Sequence, residues 1–348
     1  MAAALPGAKV DVLVVSSPAS VRYLTDYAGS NGLLLVTAEE EYFFTDPRYQ
    51  LEAADKVTCK VQVSKRPLIE DLAALLKRKK PKKIGFEPAW MNVADHQKLK
   101  ESLRLGASLQ PAGGLVEALR AVKSATEIAK IRRSVNLNSE AYTRTLRRVR
   151  LGLREQEVAA ELDFQMRVLG SEKTAFDTIV ASGARSAQPH AHASQHRLAG
   201  NELLLIDMGA ILEGYCSDMT RVTYLGSPPR SIRQMYRAVL EAQQAAIHAV
   251  RAGVPVVKVD AAARNVLKQH QLDKAFLHST GHGLGLEIHE APKLARKEKS
   301  KLKAGMVITI EPGVYVEGLG GIRVEDTLLV TENGCQIMTP TPKEFVRL

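Results

Sequence analysis

The stretch IDMGAILEGYCSDMTR, residues 206–221, decides how the C-terminal half of this chain is read. It carries two acids, Asp207 and Asp218, the first closing an apolar run and the second following a glycine turn. Three more stretches follow in order: STGHGLGLEIHE (279–290) with His282, ITIEPGVY (308–315) with Glu311, and GIRVEDT (321–327) with Glu325. Each candidate stands at the end of an apolar run or beside glycines, where a strand can present a side chain into a cavity. One carboxylate so placed is ordinarily a surface residue at a strand end. Four carboxylates and one imidazole in fixed order are the ligand set of two neighbouring divalent cations, with shared carboxylates bridging them and a water activated between. The set reads as a dinuclear metallohydrolase. Its oxygen-rich character favours manganese over a cysteine–histidine zinc site, with cobalt or zinc as alternatives.

Length and composition bound the rest. The 348 residues suffice for two domains, and 45% apolar with 25% charged residues is an ordinary globular composition. No apolar run approaches the roughly 18 residues of a membrane helix. The opening MAAALPGAKVDVLVV lacks the basic segment of a secretory signal. Cys59, Cys216 and Cys335 form no disulfide framework, so the expectation is a cytoplasmic protein. The net charge of +10 concentrates in KRKKPKK (77–83) and KLARKEKSKLK (293–303). The first follows the amphipathic IEDLAALL and reads as a solvated helix end. No aromatic stacking set accompanies these charges, so neither nucleic acid nor membrane is expected as a partner.

The first hundred residues alternate strand-like runs (VDVLVV, GLLLVT, EYFFTD) with helical stretches at Arg66–Lys80 and Asp95–Leu103. That alternation predicts a small α/β domain. Ser124-Ala-Thr-Glu127 has the form of a capping box and opens a helical region reaching about Met166. The boundary is therefore placed at 121/122, giving domains 1–121 and 122–348. Strand-like TIVASG, LLLIDMG, RVTYLG, MVITIEPG and DTLLVT follow, divided by a second helical stretch from Ser231 to His270. The echo of LLLIDMG in VITIEPG hints at an internal duplication.

These motifs closely resemble the pita-bread metallopeptidases, which include Xaa-Pro aminopeptidase (aminopeptidase P), prolidase, methionine aminopeptidase and creatinase. VRYLTDYAGSNG (21–32), FTDPRY (44–49) and LRAVKSATEIAKIR (119–132) resemble the creatinase-type N-terminal domain and its linker, placing the chain beside the Xaa-Pro peptidases. The resemblance implies a creatinase-like α/β domain followed by a duplicated α+β catalytic domain. It implies that Asp218 and Glu325 bridge two metals, Asp207 closes one, and His282 with Glu311 close the other, Glu311 also shuttling a proton. It assigns catalytic roles to His190, His278 and His289, and substrate contacts to Arg323 and Tyr315. A homodimer is implied as well. His192 and His196 read as loop residues, since the ligand set is complete without them.

Three departures from the pattern stand out. Few residues precede VDVLVV, Asp26 and Tyr27 occupy positions usually apolar or glycine, and Lys293 replaces the arginine that prolidases place after HEAP. A lysine attracts a carboxylate but fixes its direction poorly. The expectation is therefore an Xaa-Pro aminopeptidase, taking peptides with proline second, with Xaa-Pro dipeptidase as the alternative. A non-catalytic binding protein on the same fold is the remaining reading, disfavoured because all five ligands are present.

Overall fold

The strand-like runs of the first hundred residues assemble around β1 (Val12–Val15), whose alternate side chains enter two different cores. Leu13 and Val15 pack with Val21, Tyr27 and Phe43, while Val12 and Val14 pack with Leu72, Leu76 and Ile84. A strand covered on both faces reads as a continuous apolar run, which is what VLVV is. Around it lie β2 (Gly32–Thr37), β3 (Glu41–Thr45), β4 (Lys60–Val63), β5 (Lys83–Phe86) and β6 (Ser108–Pro111) in the order β4-β3-β2-β1-β5-β6. The connecting helices are α1 (Pro18–Thr25), α2 (Gln50–Lys56), α3 (Leu68–Lys79), α4 (Val93–Ser102) and α5 (Leu115–Ala121). The Lys77–Lys83 charges are solvated, three of them in the last turn of α3, where the helix dipole favours cations.

The unusual Asp26-Tyr27 pair has a local reason. Asp26 caps α1 in the left-handed region at φ 60°, and Tyr27 turns inward to 1% exposure. The Tyr27 hydroxyl lies 3.0 Å from the Asn31 carbonyl and 3.1 Å from Thr45 Oγ1, and its ring meets Phe43 at 4.7 Å.

This computed structural model describes residues 1–103 and 106–345, and the chain divides into compact units between Arg120 and Ala121. The second unit opens on α6 (Ala125–Leu146), whose capping box forms: Glu127 N–H donates to Ser124 Oγ at 3.3 Å, and Ser124 N–H to Glu127 Oε2 at 2.9 Å. A turn with Gly152 at φ 86° separates α6 from α7 (Glu155–Val168), so the expected single helical region is two helices. Then come β7 (Lys173–Thr174), β8 (Ile179–Ser182), β9 (Glu202–Met208), β10 (Ala210–Leu212), β11 (Tyr215–Cys216) and β12 (Met219–Leu225). Strands β8, β9 and β12 form an antiparallel sheet backed by α6 and α7 through Leu137, Leu162, Met166, Leu204 and Ile206.

The same plan repeats. Helices α8 (Arg230–Ala249) and α9 (Val256–Gln269) divide the expected helical stretch at residues 250–255, where Gly253-Val254-Pro255 marks a turn in the sequence. Proline lacks the amide a helix interior needs and here stands just ahead of α9. Strands β13 (Gly281–Gly283), β14 (Glu290–Leu294), β15 (Val307–Ile310), β16 (Gly313–Val316), β17 (Gly320–Arg323), β18 (Asp326–Val330) and β19 (Cys335–Ile337) complete the unit. Their main sheet runs β14-β13-β15-β18-β19, while β16 and β17 form a separate hairpin. Val239, Ala242, Val259 and Ala263 of the two helices pack on Ile308, Ile310 and Leu328. In both halves two helices precede an antiparallel strand pair, β9–β12 or β15–β18, with an acid at the end of the first strand and another just before the second. The duplication hinted by LLLIDMG and VITIEPG is thus a repeat of helix pair and strand pair.

Candidate metal centre

Asp207 is the penultimate residue of β9, Asp218 immediately precedes β12, His282 is the middle of β13, Glu311 follows β15, and Glu325 precedes β18. All five line one cavity of about 660 Å³. Asp218, His282 and Glu325 each offer a ligand atom, and these atoms lie within 4.8 Å of one another. His282 Nε2 is 3.5 Å from Asp218 Oδ2 and 3.5 Å from Glu311 Oε1.

The neighbouring groups orient these side chains. Thr220, two residues after Asp218 on the same strand face, donates its hydroxyl to Glu325 Oε2 at 2.7 Å. Arg323 holds Asp207 Oδ2 through Nη2 and Thr220 Oγ1 through Nε at 3.0 Å. The other Asp207 oxygen, Oδ1, is buried without a partner, which leaves a lone pair aimed at no protein donor. His282 Nδ1 lies 3.0 Å from the Gly283 carbonyl. A carbonyl only accepts, so Nδ1 carries a proton, and Nε2, which faces Asp218 and Glu311, is the nitrogen available to a ligand once it is deprotonated. Helix α9 fixes the approach to β13: Asp260 accepts from Thr280 Oγ1 at 2.8 Å and pairs with Arg264 at 2.7 Å, and Arg264 donates to the His278 carbonyl at 2.6 Å. Gly281 is required there, because a Cβ would stand 2.0 Å from the Thr309 carbonyl oxygen.

The electrostatics point the same way. Burial, with the charge of Asp207, pushes Asp218 up to about 6 against its His282 hydrogen bond. Burial and the Asp218 and Asp207 charges push Glu311 up to about 7, and burial with its acidic neighbours raises Glu325 well above the carboxylate range. Burial opposes charge on His282, yet Asp218 and Glu311 hold it up at about 9. Fully ionised, the four carboxylates would carry more negative charge than His282 and Arg323 balance; the raised pKa values express that excess, which a divalent cation relieves. Free lone pairs, hard oxygen donors and excess charge together fit divalent metal.

Other expected residues separate into wall and support. His190, His278, His289, Lys293 and Arg323 line the cavity, with His190, His289 and Lys293 exposed at its mouth. His289 packs edge-on against His282 at 4.4 Å between ring centres. His278 is neutral at physiological pH, since burial and the Arg323 charge push it down to about 4. Its Nδ1 lies 2.9 Å from the Ser279 carbonyl and its Nε2 2.9 Å from the Tyr315 hydroxyl. Tyr315 is not in the cavity wall but behind it, joined to both His278 and Arg323. Gly313 makes room for that contact, because a Cβ there would meet the Tyr315 hydroxyl at 2.6 Å. Arg323 reaches the cavity, but its nitrogens are engaged by Asp207, Thr220, Tyr315 and the Pro189 carbonyl. It is therefore built to orient Asp207 rather than to offer a free fork to a carboxylate. Lys293 differs. It stands directly opposite His282 in the β13–β14 ladder, and no hydrogen bond or ion pair among the described residues holds its ammonium. Directly opposed residues share a sheet face, so Lys293 projects to the cavity side.

His192 also lines the cavity, although its sequence context marks only a loop, whereas His196 lies outside it, 3.6 Å from Glu202. Residues unnoticed in the sequence complete the site: Phe176, Ile179 and Ile288 give it an apolar wall. Glu155, fully buried, accepts from Ser182 N at 2.7 Å, from Ser194 N at 3.0 Å and Ser194 Oγ at 2.7 Å, tying down the loop that carries His190 and His192. The alternation of Asp218 with Thr220 would have pointed to Thr220; no local pattern marks Glu155.

Residues 129–332 match Metallopeptidase family M24, and residues 2–122 match the Creatinase/Prolidase N-terminal domain. The Xaa-Pro dipeptidase of Pyrococcus furiosus is 36% identical over 338 residues, covering 97% of this chain and 95% of that protein. Among solved structures, the Xaa-Pro dipeptidase from Bacillus anthracis superposes with a TM-score of 0.96 at 36% identity, covering 99% of this chain and 97% of that one. An X-Pro aminopeptidase from Thermotoga maritima superposes with a TM-score of 0.91 at 33% identity, covering 98% of each chain.

Proposed function

Because the chain belongs to metallopeptidase family M24, with a creatinase/prolidase N-terminal domain, we propose that it cleaves the peptide bond before proline and acts as an Xaa-Pro dipeptidase. The observation carrying the finer reading is Lys293, the unengaged cation of the cavity wall, opposite His282. A dipeptide puts its carboxylate immediately after proline, where a cation beside the centre can meet it. Named dipeptidases matching the whole chain support the same reading. This changes the balance struck from sequence, where a lysine in place of arginine placed the aminopeptidase first. Arg323 is engaged elsewhere, so Lys293 is left as the carboxylate's partner.

Asp207, Asp218, His282, Glu311 and Glu325 would hold two divalent ions, manganese being favoured by the oxygen-rich set. Such a pair, when bound, lowers the pKa of a water towards neutrality and polarises a carbonyl. Glu311, at the cavity edge, takes up the proton of the attacking water and returns it to the proline nitrogen as the C–N bond breaks. His190 and His289 at the mouth donate hydrogen bonds to the developing oxyanion. His278 is a neutral support: its Nδ1–H donates to Ser279, and its Nε2 accepts from Tyr315. Phe176, Ile179 and Ile288 offer an apolar seat for the proline ring. General peptidases grip chains through backbone amides, and proline lacks that N–H. A dedicated pocket replaces the grip.

The second reading, X-Pro aminopeptidase, is favoured by the same lysine's lack of a rigid fork and by the Thermotoga maritima structure. The deciding experiment compares kcat/KM for Xaa-Pro, Xaa-Pro-Yaa and an Xaa-Ala control. Preference for Xaa-Pro is expected; faster turnover of Xaa-Pro-Yaa gives the aminopeptidase, and equal cleavage of Xaa-Ala removes both. We also propose a cytoplasmic location, which fits three unpaired cysteines, and a homodimer, which the family resemblance implies. Light scattering that finds only the single-chain mass at micromolar concentration contradicts the dimer.

A further inference from the structure

Behind the carboxylates lies a buried ion pair that the chemistry above does not use. Arg221 and Asp326, 3% and 0% exposed, meet at 2.7 Å. The Arg221 guanidinium joins the two halves of the catalytic unit. Nη1 donates to the main-chain carbonyls of Thr220, at 3.0 Å, and of Glu325. Its remaining donors reach the end of the described chain: Nη2 to the Thr341 carbonyl at 2.7 Å, and Nε to the Pro342 carbonyl at 3.1 Å. The second Asp326 oxygen receives Lys343 Nζ at 2.6 Å and Gln243 Nε2 at 3.0 Å. Lys343 also donates to Gln243 Oε1 at 3.2 Å, and its own carbonyl accepts from the Tyr236 hydroxyl at 2.6 Å. Gln243 in turn reaches the carbonyl of Ile310, the residue before Glu311, at 3.5 Å.

A buried ion pair is a weak source of net stability, because desolvation offsets its attraction. What such a network supplies, when every partner is present, is a fixed geometry. Here the fixed points are the backbones at Thr220 and Glu325, two residues and zero residues from the acids expected to bridge the ions. Partners one layer out from metal ligands tune affinity by holding those ligands in place.

We propose that Thr341–Lys343 is a clasp that sets the spacing of Asp218 and Glu325 through Arg221 and Asp326, which makes Lys343 a positioning residue for divalent-ion affinity. This rests on the metal reading above. Removing Lys343 leaves Asp326 with one cation where it had two, so the Arg221 guanidinium can be drawn off the Glu325 carbonyl and the carboxylate spacing relaxes. Arg221 variants risk misfolding, since they strand a buried carboxylate. Lys343 is part-exposed and is the better probe.

The test titrates metal-free full-length chain with Mn²⁺ by calorimetry, alongside thermal unfolding without metal. Lys343→Met is expected to weaken Mn²⁺ binding by about 10-fold, the lower end of the range for outer partners of metal ligands. Lys343→Arg is expected to restore most of it. Phe345→Ala separates geometry from general loosening: Phe345 stacks on Tyr236 at 4.3 Å and 18°, and hydrogen-bonds to no member of the network. That variant should lower the melting temperature and leave Mn²⁺ affinity unchanged. Wild-type affinity in Lys343→Met overturns the clasp, as does an equal affinity loss in Phe345→Ala. Wild-type chain that binds no Mn²⁺ overturns the metal reading itself, an outcome distinct from either.

Discussion

The two halves of the catalytic unit share a plan but not a chemistry. Each sets a helix pair behind an antiparallel strand pair and leaves an acid at either end of the connection: Asp207 and Asp218 around β10–β11, Glu311 and Glu325 around β16–β17. The first connection turns outward to pair with β7 and gives the cavity little beyond its two acids. The second folds back as a hairpin and supplies Arg323 and Tyr315, one to hold Asp207 of the other half and one to hold His278. His278, His282 and His289 all belong to the second half, and the first contributes His190 and His192 from a loop. Repetition thus delivers carboxylates in matched pairs, which symmetric metal ligation needs. The unmatched groups do the rest: Arg323, Tyr315 and His278 support the centre, while His190, His289 and Lys293 stand exposed on the wall that an unsymmetric substrate would meet.

The comparison is broken most forcefully at one acid from each half. Asp218→Ala and Glu325→Ala should each reduce hydrolysis to background and lower metal content, because a bridging carboxylate serves both ions. If only one of the pair matters by metal analysis and assay, the halves do not share the centre. Next comes an unmatched residue. His289→Ala should reduce kcat by roughly 10²-fold, the scale of an oxyanion or acid–base partner, with metal content unchanged. Loss of metal together with activity would put His289 among the ligands.

A smaller effect tests the loop of the first half. Glu155 is fully buried; desolvation opposes its charge, but hydrogen bonds from Ser194, Ser182 and Arg185 outweigh it and hold its carboxyl below the ordinary 4.5. A folded-state pKa below the unfolded one contributes stability above pH 4.5 that is lost as pH falls through the folded value. Glu155→Gln should therefore cost about 2 kcal/mol at neutral pH, from hydrogen bonds to a charged group, and progressively less below pH 4.5. A denaturant series showing a pH-independent difference would refute the assignment. The smallest change is in the second half: Lys293→Arg should shift the kcat/KM ratio towards dipeptides by about fivefold, near 1 kcal/mol for a second charge-assisted hydrogen bond. An unchanged ratio would remove Lys293 from carboxylate recognition.

Much of this could be read before the structure. The apolar runs became β1, β2, β3, β8, β9, β12, β15 and β18, and the five candidate ligands met in one cavity. The strands that stayed hidden lack alternation: GHG, at β13, is two-thirds glycine, and EAPKL, at β14, mixes charge with proline. The break in the long helical stretch after Ser231 showed only through Gly253-Val254-Pro255, because Val250, Val254 and Val256 sustain an apolar pattern across it, each buried or part-buried. Arg323 and Tyr315 were visible as motif residues, but their inward engagement with one another depends on the hairpin register, which pairs Arg323 with Gly313 and Tyr315 with Gly321. Glu155 and the Arg221–Asp326 pair were out of reach, since their partners lie 27 to 105 residues away.

The central claim is that both halves hold one two-ion centre. Calorimetric titration of the metal-free chain with Mn²⁺, sampling Xaa-Pro hydrolysis at each step, tests it directly. The account predicts saturation at about two ions per chain, with hydrolysis rising as the ions bind; hydrolysis undiminished in metal-free, chelator-treated protein would contradict it.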